Sequence, residues 1–172
     1  HLLKKEFGNV ASQKLAALSL GIDDSPVISY LDEVETKSVG RNYCLPKNEY
    51  SHEKIQKTIY ELCEEVAIKL RRLKMKGRTI RLYLHGNEQM GARKTIPRYT
   101  SSGKEIFDIC LRFFKEWEFS YVRQVSVYVL NLIDEHYATP SLFENPKNET
   151  ITRLIDQIND RFGHHTVRRG YL

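Results

Sequence analysis

No apolar run in the sequence approaches the length of a bilayer-spanning helix, so no membrane anchor is expected. A secretory signal is lacking, and so is an initiator Met. His1 runs directly into Leu2-Leu3, the look of a cut through a longer protein. Cysteine is scarce: the three thiols show neither CxxC nor zinc-ligand spacing. Cys63 and Cys110 fall on apolar helical faces and are expected as reduced core residues of an intracellular protein. No nucleophile–base pair and no metal set emerges, which argues against a stand-alone enzyme. What is present is an ordinary globular balance, 41% hydrophobic and 28% charged, with room for one domain plus appendages. A net charge of +5 points to an anionic partner.

Taken in order, residues 2–21 suggest helical pieces. Asn9 can cap a helix in which Ala11, Leu15 and Leu18 share a face, with Gly21 at its C-terminal stop. Asp23-Asp24-Ser25-Pro26 is a turn, and residues 27–36 read as a mixed, acidic linker. The adjacent carboxylates of Leu31-Asp32-Glu33 could suggest magnesium. Neighbours on a strand point to opposite faces, however, and no further acidic cluster completes a site.

Residues 37–46 form a short strand that Pro46 is expected to end. Gly40 in its middle marks either a bulge or a close approach by a backbone or ligand. Ser38 and Arg41 beside it would suit a phosphate. The spacing of Ile55, Ile59, Leu62, Val66, Leu70 and Leu73 predicts a helix over 52–75, capped by Ser51 and stopped by Gly77. Its late basic run, Lys69 to Lys76, complements the helix dipole. Residues 78–85 alternate strictly, with Ile80, Leu82 and Leu84 on one face and Thr79, Arg81, Tyr83 and His85 on the other. After a turn at Gly86-Asn87, a strand is expected over 92–99, in which Pro97 ends it, bulges it or places it on an edge. Ser102-Gly103-Lys104-Glu105 is a capping box for a helix burying Ile106, Ile109, Cys110, Phe113 and Trp117. A last strand spans about 120–132. Residues 137–147 read as loop, and Asn148 caps a short helix ending at Gly163. His164-His165 lacks a third metal ligand.

The order from 37 to 132 is thus β-α-β-β-α-β, an α+β domain with a four-stranded antiparallel sheet and two helices on one face. Helical appendages precede and follow it. The outer sheet face is expected to display Arg81 and Tyr83 with several of Arg41, Arg93, Lys94, Arg98 and Arg123. An anionic ligand would relieve so much positive charge.

Several segments resemble the C-terminal part of Y-family translesion DNA polymerases of the SOS-mutagenesis type. Lys37-Ser38-Val39-Gly40-Arg41 is similar to the strand that opens that family's little-finger domain. Lys94-Thr95-Ile96-Pro97 resembles its third strand, and Val122-Arg123-Gln124-Val125-Ser126-Val127 its last. Phe7-Gly8, Gly21-Ile22-Asp23 and Pro26-Val27 resemble the end of the thumb and the tether. Ile155 to Gly163 resembles the C-terminal extension.

The resemblance implies the end of the thumb over 1–26, a linker over 27–36, a little finger over 37–133 and a C-terminal extension over 134–172. It implies a domain that lies in the major groove of duplex DNA and grips phosphates without reading bases. Ser38, Val39, Gly40, Arg41, Arg81, Arg93, Lys94, Thr95, Arg98 and Arg123 would lie at that surface. Catalytic carboxylates and their magnesium would belong to a palm preceding residue 1, so this chain needs no cofactor and should not polymerise. The setting would be the bacterial cytoplasm, at the nucleoid; nothing in the sequence speaks to oligomeric state. Thr139-Pro140-Ser141-Leu142-Phe143 resembles the sliding-clamp-binding pentapeptide at Ser141, Leu142 and Phe143 but departs at the first two positions. A loop pinned to its own domain is the alternative.

Two rivals share the β-α-β-β-α-β order. An RNA-recognition-like module stacks bases on aromatics of its two central strands, for which Tyr43 and Tyr99 are the candidates. A ferredoxin-like regulatory domain would not need this much positive charge.

Overall fold

The computed structural model describes residues 2–27, 29, 35–138, 146–163, 166–168 and 170. Leu31-Asp32-Glu33, the 139–143 pentapeptide and His164-His165 lie outside these. The chain divides into two compact units, His1–Glu35 and Thr36–Leu172.

In the first unit, α1 (Leu2–Ser19) is two helical segments broken at Gly8. The second segment restarts at Asn9, whose carbonyl accepts the Ser12 hydroxyl at 2.9 Å. It ends as expected at Gly21, which adopts φ 75°. The Gly21 amide bonds to Leu18 and that of Ile22 to Ala17, each at 3.0 Å, so the final carbonyls are satisfied by a left-handed cap.

The second unit holds β1 (Ser38–Glu49), α2 (His52–Arg72), β2 (Met75–Gly86), β3 (Gln89–Thr100), α3 (Gly103–Glu116) and β4 (Val122–Asp134). A single 3-10 turn, Glu135–Tyr137, leads towards α4 (Pro146–Phe162). The four strands make one sheet in the order β1-β4-β2-β3, with every neighbour antiparallel. This is the expected α+β architecture. The last strand inserts between the first and second, so β4 and β2 are interior while β1 and β3 are edges.

One face of the sheet and the two helices share the core. Ile55, Ile59, Val66 and Leu70 of α2 and Ile106 and Cys110 of α3 meet Ile80, Leu82, Leu84, Val125, Val127 and Val129, all fully buried. Each such aliphatic side chain contributes about 1.5–3 kcal/mol on leaving water. Cys63 and Cys110 are buried in it and unbridged, while Cys44 is exposed.

Several expected boundaries move, each for a local reason. β1 continues through Pro46, because pairing with β4 lapses between Cys44 and Glu49 and the missing N–H breaks no ladder bond. α2 stops at Arg72, five residues before the expected Gly77. Lys74 takes the left-handed conformation there (φ 53°), and the Leu73 and Lys74 amides bond back to Lys69 and Arg71. Gly77 instead lies within β2, where a Cβ would come 2.3 Å from Val129 Cγ1. β3 starts at Gln89, leaving a two-residue hairpin turn. Pro97 sits on an edge strand and in an irregular stretch: Thr79 pairs with Thr95 but Gly77 with Thr100. The capping box is half made. Ser102 accepts from the Glu105 amide, but the Glu105 carboxylate turns to Arg98. α4 begins at Pro146, where its fixed φ suits a first helical position, and not after Asn148.

Candidate nucleic-acid interface

Antiparallel partners directly opposite one another share a face, so the register assigns every strand residue to a side. Ile80, Leu82 and Leu84 define the helix side. The outer side then reads, across β1, β4, β2 and β3, as four rows. The first is Ser38, Leu130, Thr79 and Thr95; the second Gly40, Tyr128, Arg81 and Arg93. Asn42, Ser126, Tyr83 and Gly91 make the third, and Cys44, Gln124, His85 and Gln89 the fourth.

No carboxylate occurs in any of these rows, and Arg81 stands directly opposite Arg93. Like charges so placed repel, and among the described residues no ion pair involves either. The Arg81 guanidinium carbon lies 4.2 Å from the Tyr83 ring centroid, which steadies it without neutralising it.

Arg123 joins this face through a bulge. His85 pairs with Gln124 and Gly86 with Val122, so β4 carries one extra residue there. Val122 and Val125 are both fully buried, which sends Arg123 and Gln124 together to the outer side.

The expected set of outer cations is otherwise corrected. Arg41 lies opposite Val127, on the helix side, with Nε 3.4 Å from Glu65 Oε2 of α2. Lys94 lies opposite Ile80, also on the helix side, at the exposed edge. Arg98 falls in the irregular stretch of β3 and donates to Glu105 of α3 at 2.6 Å. Val39 is 1% exposed and belongs to the core, leaving only its main chain for any ligand.

Gly40 makes no bulge; the ladder is regular from Ser38 to Cys44. The close approach it permits is that of Tyr128, whose Cδ1 would lie 2.2 Å from a Cβ at this position. Gly91 is covered in the same way by Tyr83, at 2.3 Å. Rings from the two interior strands thus lie over glycines on the two edges, filling space a bare strand would leave open. The Tyr128 hydroxyl donates to Asn42 Oδ1 at 2.8 Å, and the two rings meet edge to face.

Thr95 takes part in a small polar cluster. Its hydroxyl lies 2.8 Å from that of Thr79, which accepts from Asn131 Nδ2 at 2.8 Å.

Tyr128 and Asn42 were not expected here. The inward alternation of Val125, Val127 and Val129 was a sufficient signal for Tyr128. The proposed stacking aromatics are also corrected. Tyr43 is opposite Val125 on the helix side, and Tyr99 lies on edge strand β3 beneath Arg78. The interior strands present Tyr83 and Tyr128 instead.

On the helix side, basic side chains of α2 pair with carboxylates of α4. Arg71 of α2 donates to both Asp156 oxygens of α4, at 2.5 and 2.8 Å, and to the Ser101 carbonyl at 3.0 Å. Arg72 donates to Asp160 at 2.6 Å. The late basic run of α2 therefore holds α4 as well as complementing the helix dipole.

The domain is thus a split β-α-β-β-α-β sheet whose outer side carries Arg81, Arg93 and Arg123 and, over four rows, no carboxylate. Residues 36–142 match the impB/mucB/samB family C-terminal domain, and the chain belongs to that family. It is 32% identical over 161 residues to DNA polymerase IV of Acetivibrio thermocellus, covering 88% of this chain and 40% of that protein. It is 32% identical over 177 residues to the putative UV-damage repair protein UvrX of Bacillus subtilis, covering 98% and 42%. Among solved structures, the Y-family DNA polymerase chimera Dbh-Dpo4(243-245)-Dbh shares the fold. The TM-score is 0.53 with 18% identity, over 76% of this chain and 38% of that one. The chain spans about two fifths of the length of the curated relatives it matches. Among the described residues no helix is long and apolar enough to cross a membrane.

Proposed function

We propose that this chain is the DNA-gripping part of a translesion DNA polymerase acting in damage tolerance. The outer sheet face lies along duplex DNA and holds phosphates without reading sequence. The observation that carries this is the pairing of Arg81 with Arg93 across β2 and β3, within four rows that hold no carboxylate. Arg123 extends the positive surface, and the Ser38 and Thr95 hydroxyls offer short-range donors. Lys94, exposed at the β3 edge, adds longer-range attraction.

The relatives' names and the family support the same reading. It puts the catalytic carboxylates and their magnesium outside this chain, and the parent protein at the bacterial nucleoid, in the cytoplasm. Ser141, Leu142 and Phe143 would fill an apolar pocket on a sliding clamp.

Titration against duplex DNA, single-stranded RNA and a polyanion control over a range of salt tests the reading. If about four to six phosphates are neutralised, the log–log salt slope is near −4 to −5. Affinity should be alike for unrelated duplex sequences. A marked sequence preference, tighter binding of single-stranded RNA, or indifference to salt would refute it.

A further inference from the structure

α4 is packed with its polar side inward. Asp156 and Asp160 take the Arg71 and Arg72 guanidinium groups of α2. Asn159, 8% exposed, exchanges two 2.9 Å hydrogen bonds with the main chain of Val167. The apolar residues look out: Ile151 is 49% exposed, Leu154 53%, Ile158 37% and Phe162 66%. At about 100° per residue, this stripe is centred roughly a quarter turn from the side bearing Asn159. Only Ile155 lies near both. A cavity of about 290 Å3 remains between α2 and α4, partly lined by Tyr60, Ile68, Ile155 and Val167.

An amphipathic helix free to choose would roll its stripe onto the domain. Full burial of such side chains contributes about 1.5–3 kcal/mol each. Here the ion pairs hold the helix rolled outward, so the stripe is presented and not stored.

The charges beside the stripe say what it fits. Arg153, Gln157 and Arg161 follow one another at four-residue spacing, alongside Leu154, Ile158 and Phe162. The Arg161 guanidinium carbon is 5.3 Å from the Phe162 ring centroid. Among the described residues no ion pair involves Arg153 or Arg161. The two carboxylates of residues 150–162 are both turned to α2. The outward surface is therefore an apolar ridge beside a cationic one, about 17 Å long from Ile151 to Phe162.

We propose that this face of α4 is a docking surface for a partner protein that offers an apolar groove rimmed by carboxylates. Ile151, Leu154, Ile158 and Phe162 anchor the helix in the groove, and Arg153 and Arg161 meet the acidic rim. Because α4 is held by α2, on the helix side of the sheet, the outer sheet face stays free. This inference does not depend on what that face binds.

The test uses the full chain, isotopically labelled, and two synthetic amphipathic helical peptides with the same leucine stripe. One carries a glutamate ridge and the other a lysine ridge; anionic lipid vesicles are a third probe. The glutamate peptide should shift amide resonances of residues 151–162 and bind about tenfold or more tighter than the lysine peptide. Arg153→Glu with Arg161→Glu should reverse that preference. Leu154→Ser with Phe162→Ser should abolish binding at an unchanged melting temperature, since both side chains are exposed. Equal affinity for both peptides, or shifts elsewhere on the chain, would overturn the proposal. So would vesicle binding without peptide binding, which would make the face a lipid-surface element. A lower melting temperature for the serine pair would show the stripe buried in its own fold, and would overturn it equally.

Discussion

The ring of Tyr128 occupies the space above Gly40 that a β-carbon would need, and its hydroxyl is tied to Asn42 two residues further along the same strand. The glycine that made the first strand look like a bare phosphate cradle is a seat for an aromatic ring of its own sheet. Gly40→Ala should therefore displace that ring and destabilise the domain by about 1–3 kcal/mol. Adding Tyr128→Ala should recover part of the loss. A double-mutant cycle in denaturant measures the coupling; strictly additive effects would dissociate the two residues.

Four arginines that look equivalent in sequence should separate into two pairs. Arg81→Ala with Arg93→Ala should weaken duplex binding for all sequences and flatten the salt slope by roughly two. Arg41→Ala with Arg98→Ala, which removes the partners of Glu65 and Glu105, should change that slope far less. Fluorescence anisotropy over a salt series distinguishes them. Equal effects of the two pairs would show that the register does not govern the interface.

Asp156→Ala should release α4 from α2 without unfolding the domain. The carboxylate takes two guanidinium hydrogen bonds, each to a charged donor and worth about 1.5–3 kcal/mol. Amide exchange over residues 151–162 should rise, while Ile80, Leu82 and Leu84 keep their protection. Loss of protection throughout would make α4 part of the core.

One thiol should react in the native protein and all three in denaturant. Burial first, then neighbouring Cys110, pushes the Cys63 thiol well above its ordinary range, so its thiolate is scarce at neutral pH. Cys44 is exposed to reagent. A colorimetric thiol titration with and without guanidinium counts them; two rapid native thiols would contradict the packing of α2 against α3.

Leu142→Ala with Phe143→Ala should weaken binding to a sliding clamp and leave the melting temperature nearly unchanged. Calorimetry and surface plasmon resonance read the two quantities separately. A stability loss of several kcal/mol, typical of truncating buried Leu or Phe, would assign the pair to the domain's own core.

The order of the domain's elements, the buried faces of α2 and α3 and the inward side of β2 were legible in the sequence. Those are local periodicities, and Ile55 to Leu70 or Ile80 to Leu84 carry them without help from elsewhere. The segments resembling the family were also local. Sidedness on the edge strands was not legible, because period two gives a face only where apolar residues anchor it. In β1, Arg41 stands between Val39 and Tyr43 on the inner side, and only pairing with Val127 shows it. Lys94 is fixed by Ile80 in the same way, and Arg123 by an extra residue that appears only when β4 is laid against β2. The roll of α4 was the furthest from sight. Its apolar residues can be read in the sequence, but the side they face cannot: Arg71 and Arg72, more than eighty residues away, turn them to the solvent. These are long-range relationships, set by which strands and helices meet, and no single segment contains them.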